Sequence, residues 1–413
     1  MRDRLSKGRE LSRGMTGRGA CAKNRVTVAG GARDDGPMPS LVDALAALPA
    51  ETRALLERFA FDQAAATRFA ASLAGDDGPA RRRARNEVGG PVVAPKPEEI
   101  PEAPTLGTAE HDRQRALGEA AIARGELAFC VMAGGMATRM GGVVKALVDA
   151  LPGHTFLDLR LAETAALGGN VPLWLMTSEA TDAPLRAAIA AHAGRNVATF
   201  TQSIGVRFTQ EGELFRGDDG APSTYGTGHG DLVDGLLRSE LLHRFVAGGG
   251  KYVWIANIDN LGASVDPALF GAFVESEAAV QVEVCPKVPG DKGGIPVHAE
   301  GKLQVLEEFR LPSDFDPTTV QVFNTNTFLV RADALLGLAG RPWSYFEVEK
   351  KVDGRVAIQF ERLLQELTAW LPSRYVRIPR DGAASRFVPV KDHDELARRE
   401  AEIRAVLGRR NLP

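Results

Sequence analysis

The sequence predicts an α/β fold built on a largely parallel sheet covered by helices on both faces. Two observations carry this. From Thr108 onward short apolar runs alternate with amphipathic segments, and several of those runs end in glycine or in polar turn residues. In such sheets ligands bind at the carboxyl ends of the strands, where the loops open.

The elements follow in order. Leu41 to Leu73 repeats its apolar residues at three and four, which predicts two or three short amphipathic helices. Pro91, Pro95, Pro97, Pro101 and Pro104 then mark an exposed, partly extended connector. The basic run Arg81-Arg82-Arg83-Ala84-Arg85 beside it is expected to be simply solvated. After Thr108 come a helix through Glu119, the strand "LAFCVMA", a glycine loop, a helix from Phe156, the strand "VPLWLMTS", a helix from Thr181 and the strand "NVATFT". A second alternation runs from "KYVWIANIDN" through a helix after Asp266 to "AAVQVEVCPKV". Hairpin signals at Gly293-Gly294 and Gly301 follow, then "SRYVRIP", "SRFVPV" and a charged helix from Asp392.

The organisation expected is residues 1–37 disordered or preceding the true start, 38–107 as helices and connector, and 108–413 as a catalytic domain with a subregion from about 340. No apolar core for a secretory signal is present in the first stretch, and Asp3, Glu10, Asp34 and Asp35 fit a transit peptide poorly. The 413 residues carry a formal net charge of -3, which points to no nucleic-acid partner. Charges and glycines interrupt every hydrophobic run short of the roughly eighteen residues a membrane helix needs. Cys21, Cys130 and Cys285 are odd in number and unpaired by spacing, which suggests neither a disulfide framework nor a zinc site and fits a reducing cytoplasm.

Three stretches hold candidate chemistry. "VMAGGMATRMGGVVKAL" follows a strand with Gly134, Gly135, Gly141 and Gly142 and adds Arg139 and Lys145. Bare backbone N–H groups and two cations suit a phosphate, although a structural turn is equally compatible with the glycine pattern. It is neither a Walker A loop nor GxGxxG, which argues against a nicotinamide dehydrogenase. "TGHGD" sets His229 among glycines ahead of an apolar helical pattern, either as an anion site or as a loop whose His229 and Asp231 cap the helix. "YVWIANIDN" delivers Asn257 and Asp259 at the end of an apolar strand, where one carboxylate can hold Mg2+ against substrate phosphates. Lys287, Lys350 and Lys391 gain interest only from their company.

Taken together and in order, "MAGGMATRMGG", "PLWLMTSEAT", "TFTQS", "TGHGD", "YVWIANIDNLGASVD", "VEVCPK" with "KGG" and "EGKL", "FNTNT", "KKVDG" and "SRFVPVK" resemble the eukaryotic-type UDP-glucose pyrophosphorylases, from about Thr108 to Leu396. The resemblance implies a Rossmann-like mixed sheet of the glycosyltransferase-A nucleotidyltransferase type, with helices N-terminal to it. It also implies conversion of UTP and glucose-1-phosphate to UDP-glucose and pyrophosphate. By motif position, the backbone of Met132, Ala133, Gly134 and Gly135 with Gln202 and Gly228 meets uridine, and Lys145 lies near the triphosphate. His229 and Asn257-Ile258-Asp259 meet the sugar phosphate, and Asp259 is the Mg2+ ligand. Asn326, Glu307 and Gly294 meet glucose, and Lys350 is the phosphate-contacting lysine of the reaction centre. Arg139 adds charge, and Lys287 and Lys391 match family lysines of less defined role.

Some features depart from the family pattern. The loop is one residue short before Lys145, the usual prolines before "GHGD" are missing, and the chain ends where the family continues into a β-helix domain. A monomer or weak dimer is therefore expected. Two alternatives stay open: the same reaction on N-acetylglucosamine- or galactose-1-phosphate, and a non-catalytic nucleotide-sugar binder.

Overall fold

The computed structural model describes residues 40–74, 78–137, 140–192, 194–291, 293–409 and Leu412. The stretch 1–37, Cys21 and Arg139 lie outside the described residues, and with them the expectations made for each.

Seven strands form the central sheet: β1 Leu127–Met132, β2 Leu173–Thr177, β3 Val197–Thr201, β4 Tyr252–Asn257, β5 Val280–Pro286, β6 Val322–Arg331 and β7 Ser373–Arg377. They lie in the order β7-β5-β6-β4-β1-β2-β3. Parallel pairing joins β1 to β2 and β4, β2 to β3, and β5 to β7. The sheet is mixed rather than purely parallel, because β6 runs antiparallel to both β4 and β5.

Every residue of β1 is buried, as a strand covered on both faces requires. The covering helices start where the sequence supplies caps. Thr155 and Asp158 cap each other ahead of Phe156–Ala166, and Asp266 caps Pro267–Val274, whose first residue is a proline lacking the N–H that would go unbonded there. The helix expected from Thr181 begins at Glu179, because the Thr181 hydroxyl accepts the Ser178 N–H from inside the first turn. Asp392 caps the C-terminal helix His393–Gly408.

The N-terminal segment forms three helices, Leu41–Ala46, Ala50–Arg58 and Gln63–Leu73. Their apolar faces share a separate core with Ile204, Val206, Phe208, Ile358 and Phe360. The basic run does not end in solvent as expected. Residues Gly78–Asn86 form a helix, and Arg81, whose side chain is 7% exposed, binds the fully buried carboxylate of Glu347. Burial of that carboxylate is tolerable only with cationic partners, which is what the run supplies. Among the described residues, no helix is long and apolar enough to cross a membrane. Cys130 and Cys285 are buried free thiols.

Candidate active site

The ends of β1, β2 and β4 are tied together by backbone. Ala133 N–H donates to Met176 O at 2.8 Å, and Ile258 N–H donates to Met132 O at 3.2 Å. The glycine loop then folds on itself as Met136–Ala137 pairs antiparallel with Val143–Val144. Gly141 and Gly142 turn the chain in the left-handed region, at φ 85° and 74°, where a side chain would be strained. The turn returns Lys145, whose N–H reaches Gly135 O at 3.3 Å. Its ammonium forms an ion pair with Asp259, each side chain less than one fifth exposed. Residues 114 positions apart in sequence thus bring a cation and a carboxylate together at the strand ends.

The base-binding candidates also converge. Gln202 is anchored by its N–H to Thr177 O at 2.9 Å, and its amide lies between two glycines. A Cβ on Gly134 would stand 2.6 Å from Gln202 Nε2, and one on Gly226 2.6 Å from Gln202 Cδ. Ser178 Oγ holds the Gly134 carbonyl at 2.8 Å. Gly228, at φ 99°, and Gly230 lie against the backbone of Arg362 and Leu363, leaving 2.5–2.6 Å for any Cβ.

His229 accepts the Leu364 N–H at Nδ1, 2.9 Å away. The proton of the neutral ring therefore sits on Nε2, and burial pushes the ring's pKa down to about 4. Asp231 does not cap the following helix as the sequence suggests. Its buried carboxylate instead accepts from Ser203 N–H, Arg362 and Arg238, joining the Gln202 strand end to the glycine segment.

The sugar candidates form a third group. The pairing of β5 with β6 slips between Glu283 and Val284, which leaves Thr325 and Asn326 bulged, Asn326 at φ 59°. Asn326 Nδ2 donates to Asn257 Oδ1 at 3.1 Å, while its own Oδ1 is buried with no partner. Asn324 N–H donates to Gly294 O at 2.8 Å. Glu307 accepts from Gln365 Nε2 at 2.5 Å, and burial pushes its carboxyl above the usual range.

The remaining lysines stand apart. Lys350 is 45% exposed on a hairpin formed by Phe346–Val352 and Arg355–Glu361, 3.3 Å from Glu361. Lys287 lies 3.9 Å from Glu308. Lys391 is exposed, but the adjacent Val390 N–H donates to Asp259 O at 3.2 Å. The segment "SRFVPVK" is not a strand; it meets Asn260 through a bridge at Pro389 and through the Asn260 side chain, which donates to Arg386 O at 3.3 Å and accepts the Val388 N–H at 2.8 Å.

Sequence reasoning missed the residues that hold the Asp259 loop. Arg160, 1% exposed, donates to Asn257 O at 3.1 Å, Asn260 O at 2.7 Å and Ala263 O at 3.3 Å, and pairs with Glu163. Glu163 in turn accepts Val265 N–H at 2.8 Å. Arg386 pairs with the buried Glu283 and donates to Ser264 O. The available signal was a lone arginine inside the apolar helix "FLDLRLA", since a charge on a buried face must have a partner.

One carboxylate beside a lysine fits a Mg2+ that completes its coordination on substrate phosphates. Among the described residues no group of three or more His, Cys, Asp or Glu could hold a metal ion by itself. Arg139 cannot be placed in this arrangement, lying outside the described residues.

Comparison with known proteins agrees with the geometry. A family model described as UTP-glucose-1-phosphate uridylyltransferase matches residues 87–403. Curated relatives of that name include one from Musa acuminata, 32% identical over 66% of this chain and 62% of the relative, and one from Solanum tuberosum, 32% identical over 64% and 58%. The chain thus spans about three fifths of the length of these relatives. Similar solved structures are the uridine diphosphate N-acetylglucosamine pyrophosphorylase of Trypanosoma brucei and a mutant UDP-glucose pyrophosphorylase of Leishmania major. The first has a TM-score of 0.65 and 21% identity, covering 90% of this chain and 85% of that one; the second has 0.63 and 20%, covering 84% and 78%. These likenesses establish the nucleotidyltransferase fold, and with the family match over most of its length the chain belongs to the UTP-glucose-1-phosphate uridylyltransferase family.

Proposed function

We propose that this protein transfers the uridylyl group of UTP to glucose-1-phosphate, forming UDP-glucose and releasing pyrophosphate. The observation that carries the reading is the meeting of Lys145 with Asp259 at the strand ends, beside a Gln202 amide held between Gly134 and Gly226. The sugar phosphate is already an anion at neutral pH, so its attack on the α-phosphorus needs no general base. The protein's task is to bring two polyanions into line and to balance the charge that grows on pyrophosphate.

Gln202 and the backbone of residues 132–135 hold uridine, and Gly228 touches the base. Lys145 is released from Asp259 to the triphosphate, and Lys350 approaches the reacting phosphate from its hairpin. His229, neutral with hydrogen on Nε2, donates to a sugar-phosphate oxygen without adding charge. Asn257, Asn326, Glu307 and Gly294 face the sugar. Mg2+ bound through Asp259 supplies the remaining positive charge. A cytoplasmic location and a monomer or weak dimer complete the proposal.

The test is pyrophosphate release from UTP and Mg2+ with glucose-1-phosphate, galactose-1-phosphate and N-acetylglucosamine-1-phosphate at equal concentration. Release dominated by glucose-1-phosphate is expected. Dominance of another sugar replaces the substrate, and UTP binding without release from any sugar makes the protein a binder rather than an enzyme.

A further inference from the structure

The Arg81–Arg85 run has no part in the reaction as derived, yet its contacts lead to the hairpin that carries Lys350. Lys350 stands on a two-stranded hairpin, and an isolated hairpin has marginal stability in water. The position of its lysine is therefore set by what holds the hairpin. On the second strand, Phe208 pairs with Ile358 through backbone bonds of 2.9 and 2.8 Å and the Tyr225 hydroxyl bonds the Phe360 backbone, while the Lys350 strand is held from the opposite face. Along Phe346–Val352, residues 347 and 349 share one face, and Lys350 lies on the other with Gln359 and Glu361.

The face away from Lys350 is gripped by the helix Gly78–Asn86. Arg81 donates to both carboxylate oxygens of Glu347, at 3.3 and 3.1 Å, and Arg82 and Arg85 approach the same carboxylate at 3.6 and 3.4 Å. Arg82 also bonds Glu349 at 2.8 Å. Asn86, buried at 4% exposure, bonds the backbone of Glu347 twice: its Nδ2 donates to the carbonyl at 2.8 Å and its Oδ1 accepts the N–H at 3.0 Å. One side-chain amide thus does the work of a third strand at that residue. Arg85 covers the ring of Phe360 on the second strand, and that ring stacks on Phe69 of the N-terminal helices at 4.1 Å.

We infer that the helix Gly78–Asn86, through Asn86 and its arginines, is a positioning element for Lys350, holding the hairpin at the height from which the ammonium reaches the reacting phosphate. The inference rests on the functional reading of Lys350. Misplacement of a catalytic group by about 1 Å can cost on the order of a hundredfold in rate, so loss of the grip is felt in turnover.

A double-mutant cycle in the full chain tests it, with kcat from pyrophosphate release and UTP affinity from calorimetry. Asn86→Ala is expected to lower kcat about tenfold with UTP affinity unchanged, and to have no further effect on kcat in a Lys350→Ala background, because residues acting as a unit are not additive. An equal fall in both backgrounds means a general structural role and overturns the inference, as does an unchanged kcat. If Asn86→Ala does not fold, Glu349→Gln, which removes the Arg82–Glu349 ion pair at the exposed end of the contact, repeats the cycle with a smaller effect in the same direction. The two readings fail differently. Normal turnover in Lys350→Ala removes the role of Lys350 and the positioning inference with it. Slow turnover in Lys350→Ala beside normal turnover in Asn86→Ala removes only the inference.

Discussion

The two lysines assigned to phosphate chemistry live in contrasting surroundings. Lys145 is 16% exposed, returned to the central sheet by a tight turn and already paired with Asp259. Lys350 is 45% exposed, on a ribbon outside the sheet, and pairs with Glu361. The first is placed by backbone hydrogen bonds among strand ends; the second sits on a strand held from behind by side chains, with backbone pairing to the rest of the protein on the neighbouring strand at Ile358. Backbone placement survives most substitutions, whereas placement through side chains can be lost one residue at a time.

The comparison is tested most severely at its fixed end. Asp259→Asn is expected to lower kcat about a thousandfold, since an electrostatic group aimed at developing charge is typically worth a hundred- to a thousandfold. A Mg2+ dependence of turnover identical to that of the wild type would show that Asp259 is not the metal ligand. Lys350→Ala is expected to cost on the order of a hundredfold in kcat while UTP affinity stays within about threefold, the pattern of a contact made in the transition state. A matching loss of UTP affinity would move Lys350 to ground-state binding and erase the contrast with Lys145.

Gly226→Ala probes the base end. The atoms nearest the new Cβ belong to the movable Gln202 side chain, so the fold should persist while the Michaelis constant for UTP rises about tenfold, roughly 1.4 kcal/mol of binding. Unfolding of this variant in a urea titration would instead assign Gly226 to packing.

The smallest effect concerns pH. His229 has its pKa depressed from 6.5 to about 4 by burial, so the unfolded chain binds the extra proton first as pH falls. Its contribution to stability is therefore complete above about 6.5 and is lost as pH falls from there through about 4. Urea midpoints for wild type and His229→Asn should converge toward pH 4, and a constant gap between them would show that the ring is not held neutral.

Legibility in the sequence followed physical type. Strand β1 announced itself because six consecutive buried positions demand an apolar run. Strand β6 did not, because Asn324, Thr325, Asn326 and Thr327 fill its middle with polar groups where the pairing bulges. The meeting of Gly134 with Gln202 and of Lys145 with Asp259 was foreseen only through the resemblance of the motifs; spacing alone left the glycine loop open between cradle and turn. Asp231 was read as a helix cap because its local position suits one, while its partners Arg362, Arg238 and Ser203 come from other parts of the chain. The same blindness hid Arg160 and the arginine helix. A charge looks solvated until the fold reveals the carboxylate or carbonyls it was placed to meet.

The ion pair of Lys145 and Asp259 gives the cleft its own counter-ions. A phosphate arriving at Lys145 strips the carboxylate of its neutralising charge, and a cation arriving at Asp259 strips the ammonium of its own. Either visitor alone leaves a stranded charge in a largely enclosed place, whereas the two together exchange partners and leave the sum balanced. Under the proposed function the ion pair favours a cation and an anion entering as a couple, and holds either one weakly when it comes alone.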